Sequence, residues 1–266
     1  MKLYILNYSS FRNDLNTIDV KTELKTKYKI DTRRQDNFIH LGLFGALRLK
    51  DKINISIDDE LYITSGIGNI DVFQKATHCA NNKEFMKISD FINILGNSTS
   101  YYISKALGIK GKSLFQISDN FTYINTLISI YSSLYSSKKE AIFGSIDLVS
   151  QPNEILKRVL GLDEISEIVS SVNFQKLSLS SQDAIAEIEF DTQSYNSEEI
   201  KEILKVNDRI VYTSMRCLDL EFKKETNFFQ TELSYTINKV IESREDMLYI
   251  DCFEDCYKVL RLKTLV

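Results

Sequence analysis

Past Gly161 this 266-residue chain contains no glycine, although it continues to Val266. All nine glycines lie at or before that point, and the only proline is Pro152. Catalytic loops that rely on glycine for close backbone approach are therefore excluded from the second half. Histidine is also scarce, with His40 and His78 the only two, and tryptophan is absent. Four cysteines do not make a disulfide framework in a chain of this size. Cys252 and Cys256 are separated by three residues and have no second ligand pair, so zinc is not expected. No apolar run reaches the length that crosses a bilayer. The first residues, Met1-Lys-Leu-Tyr-Ile-Leu-Asn7, are too soon polar for a signal peptide. The net charge is −4 and the pI is near 5.4. The basic pairs Arg33-Arg34 and Lys138-Lys139 are short and read as solvated surface, so a nucleic-acid surface is not expected. These readings place the protein in the cytoplasm.

What remains is an ordinary globular composition, 43% hydrophobic and 26% charged, rich in Tyr (14) and Phe (15). Leu3–Leu6 reads as a short strand; 12–37 is polar and charged, with Asp31–Asp36 reading as a turn or helix start. Phe38–Leu49 is a compact apolar helix whose Gly42 and Gly45 allow another backbone close. Leu61–Ser65 is a strand ending in Gly66-Ile-Gly68, followed by a helix around Asp71–Ala80. Ser89 is read as the cap of the segment leading to Phe91. Asn97–Leu107 is a helix closed by Gly108. Ser113–Ile117 is a short strand, Phe121–Tyr135 an amphipathic helix and Ala141–Ile146 a buried strand. Residues 97–147 thus alternate helix and strand, as an α/β layer does. Farther on, Ala184–Phe190 is a strand, and Ser197–Leu204 a helix with Ser197 as N-cap and Ile200 at the N3 position. Arg209–Thr213 is a strand and Phe228–Glu242 a helix. Met247–Phe253 and Tyr257–Leu262 form a hairpin through Glu254-Asp255-Cys256. No linker is visible, so 1–266 reads as one domain, with halves 1–160 and 161–266.

Three segments form a pattern: Phe91-Ile-Asn-Ile-Leu-Gly-Asn97, Ala106-Leu-Gly108 through Ser118-Asp119-Asn120-Phe121, and Phe143-Gly-Ser-Ile-Asp147 through Pro152. Together they resemble a β-ketoacyl synthase of the thiolase superfamily. The resemblance implies a layered αβαβα fold, truncated and degenerate in its C-terminal half. It also implies three catalytic parts: a cysteine at a strand–helix elbow, two histidines from the second half, and glycine-rich loops around them. The elbow here is Ser118, Asp119, Asn120 and Phe121, and the cysteine position falls at Asn120 or Phe121. Neither side chain forms a thioester. Met215 or Arg216 stands at the first histidine position, Asn227–Ser234 contains no second histidine, and Asp251–Cys256 replaces the final glycine turn.

The chain is also shorter than a complete ketosynthase. It is similar to the compact chain-length-factor type of aryl polyene and type II polyketide pathways, in which an inactive subunit pairs with an active one. Arg33-Arg34 and the following Leu41–Leu47 resemble that subgroup too. The implied role is a non-catalytic subunit that shapes an acyl tunnel, in a fatty-acid-like synthesis. Its partners would be a catalytic ketosynthase and an acyl carrier protein, with no cofactor and no metal. The implied interface and tunnel residues are Asn97, Ser113, Phe115, Ile117, Phe121 and Tyr123. Two other readings stay open: a homodimeric scaffold or binding protein, and an acyltransferase with a displaced nucleophile, Ser118 with Asp119. His78-Cys79, His40, and Asp251 with Glu254 and Asp255 read as structural or solvated. Tyr101-Tyr102 read as core or interface before tunnel lining.

Overall fold

The structure is a computed structural model that describes residues 1–118, 120–149, 157, 168–214, 217, 220, 222 and 232–265. Nine strands form one sheet: β1 (Lys2–Arg12), β2 (Glu60–Ser65), β3 (Ser113–Ile117), β4 (Ala141–Asp147), β5 (Ser171–Ser178), β6 (Ala186–Phe190), β7 (Ile210–Thr213), β8 (Met247–Phe253) and β9 (Cys256–Thr264). Their order is β3-β2-β4-β5-β1-β6-β9-β8-β7. The helices are α1 (Val20–Thr26), α2 (Asn37–Lys50), α3 (Ile70–Asn82), α4 (Ile88–Asn93), α5 (Gly96–Leu107), α6 (Thr122–Ser137), α7 (Ser197–Lys205) and α8 (Glu232–Ser243).

The sheet contains a repeat that the sequence does not display. Outward from the central antiparallel pair β1·β6, one side runs β1-β5-β4-β2-β3 and the other β6-β9-β8-β7. On both sides the first two steps are antiparallel and the third is parallel. The second side is the first with its outermost strand missing among the described residues. β5 lies beyond residue 160 in sequence, yet it completes the first side.

Packing divides the sheet into two layers. α2 and α5 cover the outer face of β2, β4 and β5 through an apolar cluster that includes Phe38, Phe44, Ile103, Ile146 and Phe174. α6 and α8 share a second cluster with strands of both sides, from Leu3 and Tyr62 to Phe190, Tyr249 and Leu262. α7 lies over β8 and β9 in a third. The sheet folds over the inner helices rather than lying flat. β9 is five ladder steps from β2, on which α6 packs, a distance of about 24 Å in a flat sheet. Yet the Lys258 ammonium on β9 is 5.7 Å from the ring of Phe121 at the head of α6. The order is therefore helix, sheet, helix, sheet, helix, the αβαβα layering expected from the resemblance.

Close helix–sheet packing depends on two glycines. A Cβ at Gly42 meets Ile146 Cδ1 at 2.7 Å, and one at Gly45 meets Val172 and Phe174 of β5. Several local readings need correction. α1 occupies part of the polar stretch 12–37, where the sequence reading placed no element before Asp31; it is capped by Asp19, whose carboxylate accepts from Lys21 and Thr22 N–H groups. α4 starts at Ile88 after Lys87, so Ser89 lies inside it and caps nothing. α7 is capped by Asn196, not Ser197, and Glu199 completes a reciprocal capping box. The whole of β5 is absent from the sequence reading. Cys217 and Cys252 form a disulfide, with Cα atoms 5.5 Å apart, which the cysteine count does not predict. Gly161 and Pro152 lie outside the described residues.

Candidate functional site

β3 is an edge strand. It pairs in parallel with β2, from Leu61↔Ser113 to Ser65↔Ile117, and no described strand flanks its other side. β2 is buried throughout, whereas Ser113 and Ile117 are exposed, Ile117 to 50%. Phe115 is half-buried, its ring 6.2 Å from that of Phe38 and pressed against Gly96 at the start of α5. A Cβ on Gly68, whose φ is +65°, meets Ile117 Cδ1 at 2.7 Å, so the loop after β2 borders the same edge.

At the end of β3 the chain turns sharply into α6. Ser118 Oγ donates to Asn120 O at 2.8 Å, Asn125 Nδ2 donates to the same carbonyl at 3.3 Å, and Thr122 Oγ1 donates back to Ser118 O. Asp119 lies outside the described residues. Phe121 is the residue before the first turn of α6 and adopts φ 49°, ψ 30°. A bulky residue in this left-handed region is an outlier that costs about 1–2 kcal/mol, so the corner is held by its surroundings. The Phe121 ring faces the ammonium of Lys258, a residue 8% exposed, and that ammonium donates to Thr192 O at 3.3 Å. The Ser118 hydroxyl is engaged with backbone, and neither histidine is among the elbow's hydrogen-bond partners. The corner offers a bound cation and an aromatic ring, but no thiol.

Behind the corner lies a buried polar seam. Tyr123 OH donates to Gln175 Oε1 of β5. Gln175 Nε2 donates to Asn238 Oδ1 of α8 at 2.8 Å, and Asn238 Nδ2 to Ser10 Oγ of β1 at 2.8 Å. Burial pushes the Tyr123 phenol well above its ordinary range. Tyr123 is 2% exposed and packs in the inner core, whereas the sequence reading expected it at the interface or tunnel. Asn97, Ser113, Phe115 and Ile117 do lie at or beside the open edge. Gln175, Asn238 and Lys258 were not anticipated. Gln175 and Asn238 meet only in the fold, and Lys258 lies in an otherwise unremarkable hairpin strand.

Next to the edge, α3, α4 and the segments that follow them carry large apolar side chains into solvent: Phe73, Phe85, Ile88, Phe91, Ile92 and Leu95 are 45–102% exposed. Some of them flank an open groove of about 1060 Å³ between the two helices. Asn69, at the head of α3, ties this region to the core. Its Nδ2 donates to Asp36 Oδ2 at 2.7 Å and to Asn93 O at 3.2 Å. Asp147, 1% exposed, accepts from Ser65 Oγ and Gly66 N at 3.2 and 3.1 Å and fixes the loop that leads there.

The other singled-out residues stay apart. His40 is buried in α2, its Nε2 3.3 Å from Thr32 O. His78 is exposed and turned to Asn82, away from half-buried Cys79. Glu254 and Asp255 form the exposed turn of the β8–β9 hairpin. Tyr101 and Tyr102 pack edge to face at 5.4 Å on the outer layer. Met215, Arg216 and residues 227–231, which cover the lost histidine positions, lie outside the described residues. Among the described residues no group of three His, Cys, Asp or Glu side chains is arranged to hold a metal ion. No helix among them is long and apolar enough to cross a membrane.

No protein-family model and no curated protein matches the sequence. Solved structures do match. The ishigamide ketosynthase/chain length factor aligns at TM-score 0.77 over 100% of both chains, with 10% identity. This is the fold of a ketosynthase or chain length factor. AntDE:AntF, a type II PKS acyl-carrier protein in complex with its ketosynthase bound to the hexaketide, aligns at TM-score 0.66 over 99% of each chain, with 12% identity. The ketosynthase ApeO in complex with its chain length factor ApeC, from Xenorhabdus doucetiae, aligns at TM-score 0.63 over 98% of this chain and 99% of that one, with 10% identity. At such identities the likeness speaks for the thiolase-like fold.

Proposed function

We propose that this chain is a non-catalytic, chain-length-factor-like subunit. It pairs along β3 with a catalytic β-ketoacyl synthase in cytoplasmic type II polyketide or aryl polyene (fatty-acid-like) synthesis. One observation carries the reading: the open β3 edge is continuous with an exposed apolar surface, in a chain whose elbow has an aromatic ring and no thiol. An unpaired strand edge is a liability unless it is covered, and contiguous exposed apolar surface marks a partner. The partner's strand extends the sheet across β3, and its face covers α3 and α4. The partner supplies the cysteine and histidines, and an acyl carrier protein docks mainly on it. Phe121, with Asn120, spans the lost cysteine position. With Phe115, Ile117 and Asn97 it forms part of the tunnel wall, where bulk limits the length of the growing chain.

The test is co-expression of the tagged chain with the ketosynthase encoded nearest to it, and light scattering of the purified complex. A stable one-to-one heterodimer is expected. In that complex Phe121→Ala is expected to shift the product towards longer chains, and an unchanged product distribution removes the tunnel role. A homodimer that ignores ketosynthases favours the scaffold reading, which the same open edge also suits. Labelling of Ser118 by an acyl-thioester probe would revive the displaced-nucleophile reading.

A further inference from the structure

We propose that the outer helix layer carries a binding pocket for a small phosphate-bearing ligand with a flat ring, of the nucleotide class. Three features of one cavity lead there. The cavity, of about 530 Å³, lies between the loop joining α1 to α2 and the outward side of α5, and none of its lining residues belongs to the elbow or the β3 edge. That volume suits a drug-sized ligand rather than a bare ion.

The first feature is charge. The chain is acidic overall, yet residues 20–35 hold six lysines and arginines against Glu23 and Asp31. Four cations line the cavity: Lys29, Arg33, Arg34 and Lys105. Arg33 is neutralised by a two-pronged contact with Asp31 at 2.9 and 2.7 Å. Among the described residues Lys29, Arg34 and Lys105 have no carboxylate within ion-pair distance, although the Asp31 carboxylate also lines the cavity and feels the Arg34 charge. Four cations against one carboxylate leave a net positive field that favours a multiply charged anion. Phosphate matches that charge and the fork of an arginine.

The second feature is the Tyr101–Tyr102 pair on the cavity wall, with Lys105 6.0 Å from the Tyr101 ring centre. Tyr101 is 57% exposed and offers a face for stacking. The third is Gln35, which borders the cavity; its Oε1 is shielded from solvent and has no hydrogen-bond donor among the described residues. A rotation of that side chain would present it to an amino N–H borne on the ligand's ring. Cations, aromatic face and acceptor together ask for phosphate, ring and ring-borne amino group in one molecule.

The loop is also held in shape. Thr32 O contacts the His40 ring at 3.3 Å, Arg34 O accepts from Asn93 Nδ2 at 3.1 Å, and Ile30 N donates to Leu24 O at 2.9 Å. Binding therefore pays little for ordering the loop.

Isothermal titration of the full chain with ADP, adenosine and inorganic phosphate tests the proposal, with circular dichroism melts to show that each variant is folded. ADP is expected to bind one to one, more tightly than adenosine or phosphate, and more weakly as salt rises. Arg34→Gln and Lys105→Gln lie on exposed side chains and are each expected to weaken ADP about tenfold. Tyr101→Ala is expected to weaken ADP and leave phosphate binding unchanged. No binding of ADP, or ADP binding indifferent to Arg34→Gln and Lys105→Gln, overturns the proposal. Phosphate as tight as ADP overturns the nucleotide class. An acidic carrier protein that binds here while ADP does not overturns the small-molecule reading. None of these outcomes depends on whether a ketosynthase partner exists.

Discussion

A methyl group at Gly45 has no free space: its nearest neighbours are Val172 Cγ2 and ring carbons of Phe174, the latter at 2.9 and 3.2 Å. Gly45→Ala raises helix propensity by about 1 kcal/mol but forces α2 off β5, an overpacking cost of about 1–3 kcal/mol. Net destabilisation is expected in urea unfolding, and a gain in stability would mean that β5 yields. His40 makes a second prediction. Burial holds its pKa below the ordinary 6.5; Lys21 and Lys25 push the same way, while the Thr32 carbonyl and Asp36 push against. The unfolded chain therefore binds a proton near pH 6.5 that the folded chain refuses until lower pH. Between those two values the unfolded state holds more protons, so stability falls as pH falls through this window. Melting temperature is expected to drop between pH about 7 and about 5.5, and the part due to this residue to vanish in His40→Gln. At this scale the sequence already showed that the elbow lacks a thiol and that Gly42 and Gly45 permit close approach. It did not show that Tyr123 is buried, because a helix position says nothing about which neighbour covers it.

At the scale of elements, most of the first half was legible. β3 matches its expected bounds, and α2, α5 and α6 begin and end within two residues of theirs. Their apolar spacing and their glycine or polar ends encode them locally. β5 was invisible for a physical reason. Its inner face carries Ser171, Asn173 and Gln175, and its only apolar alternation is the two residues Val172 and Phe174, too brief a signal to stand out, although every residue is buried. Gln175 is tolerated there because other elements satisfy it, through Tyr123 and Asn238. Gln175→Leu leaves the Tyr123 hydroxyl without its acceptor in β5 and the Asn238 side-chain carbonyl without its donor. A loss of about 2–3 kcal/mol is expected in chemical denaturation, and no change would show that the inner helices repack without the seam.

On the scale of the whole molecule, two incomplete features share one side: the sheet stops at β3, and α3 and α4 are apolar towards solvent. Ile117→Lys places a charge on that edge without disturbing the buried core. The chain is expected to remain folded by circular dichroism but to lose its partner in co-purification and light scattering. A heterodimer that survives the substitution would move the interface away from β3. The mirror arrangement about β1·β6 also exists only at this scale. It rests on pairings between residues as distant as Lys2 and Glu189, which no local period records.

The sequence alone determined most of the helices and strands of its first half, the acidic charge balance, and the absence of a cysteine from residues 118–122. These depend on residue identity and short-range spacing. Only the tertiary structure decided that β3 is an edge, that the two sides of the sheet repeat, that Lys258 meets Phe121, and that the cations of residues 29–34 converge with Lys105 and two tyrosines. Each of these is a meeting of side chains far apart in the chain, and packing against a common core brings them together.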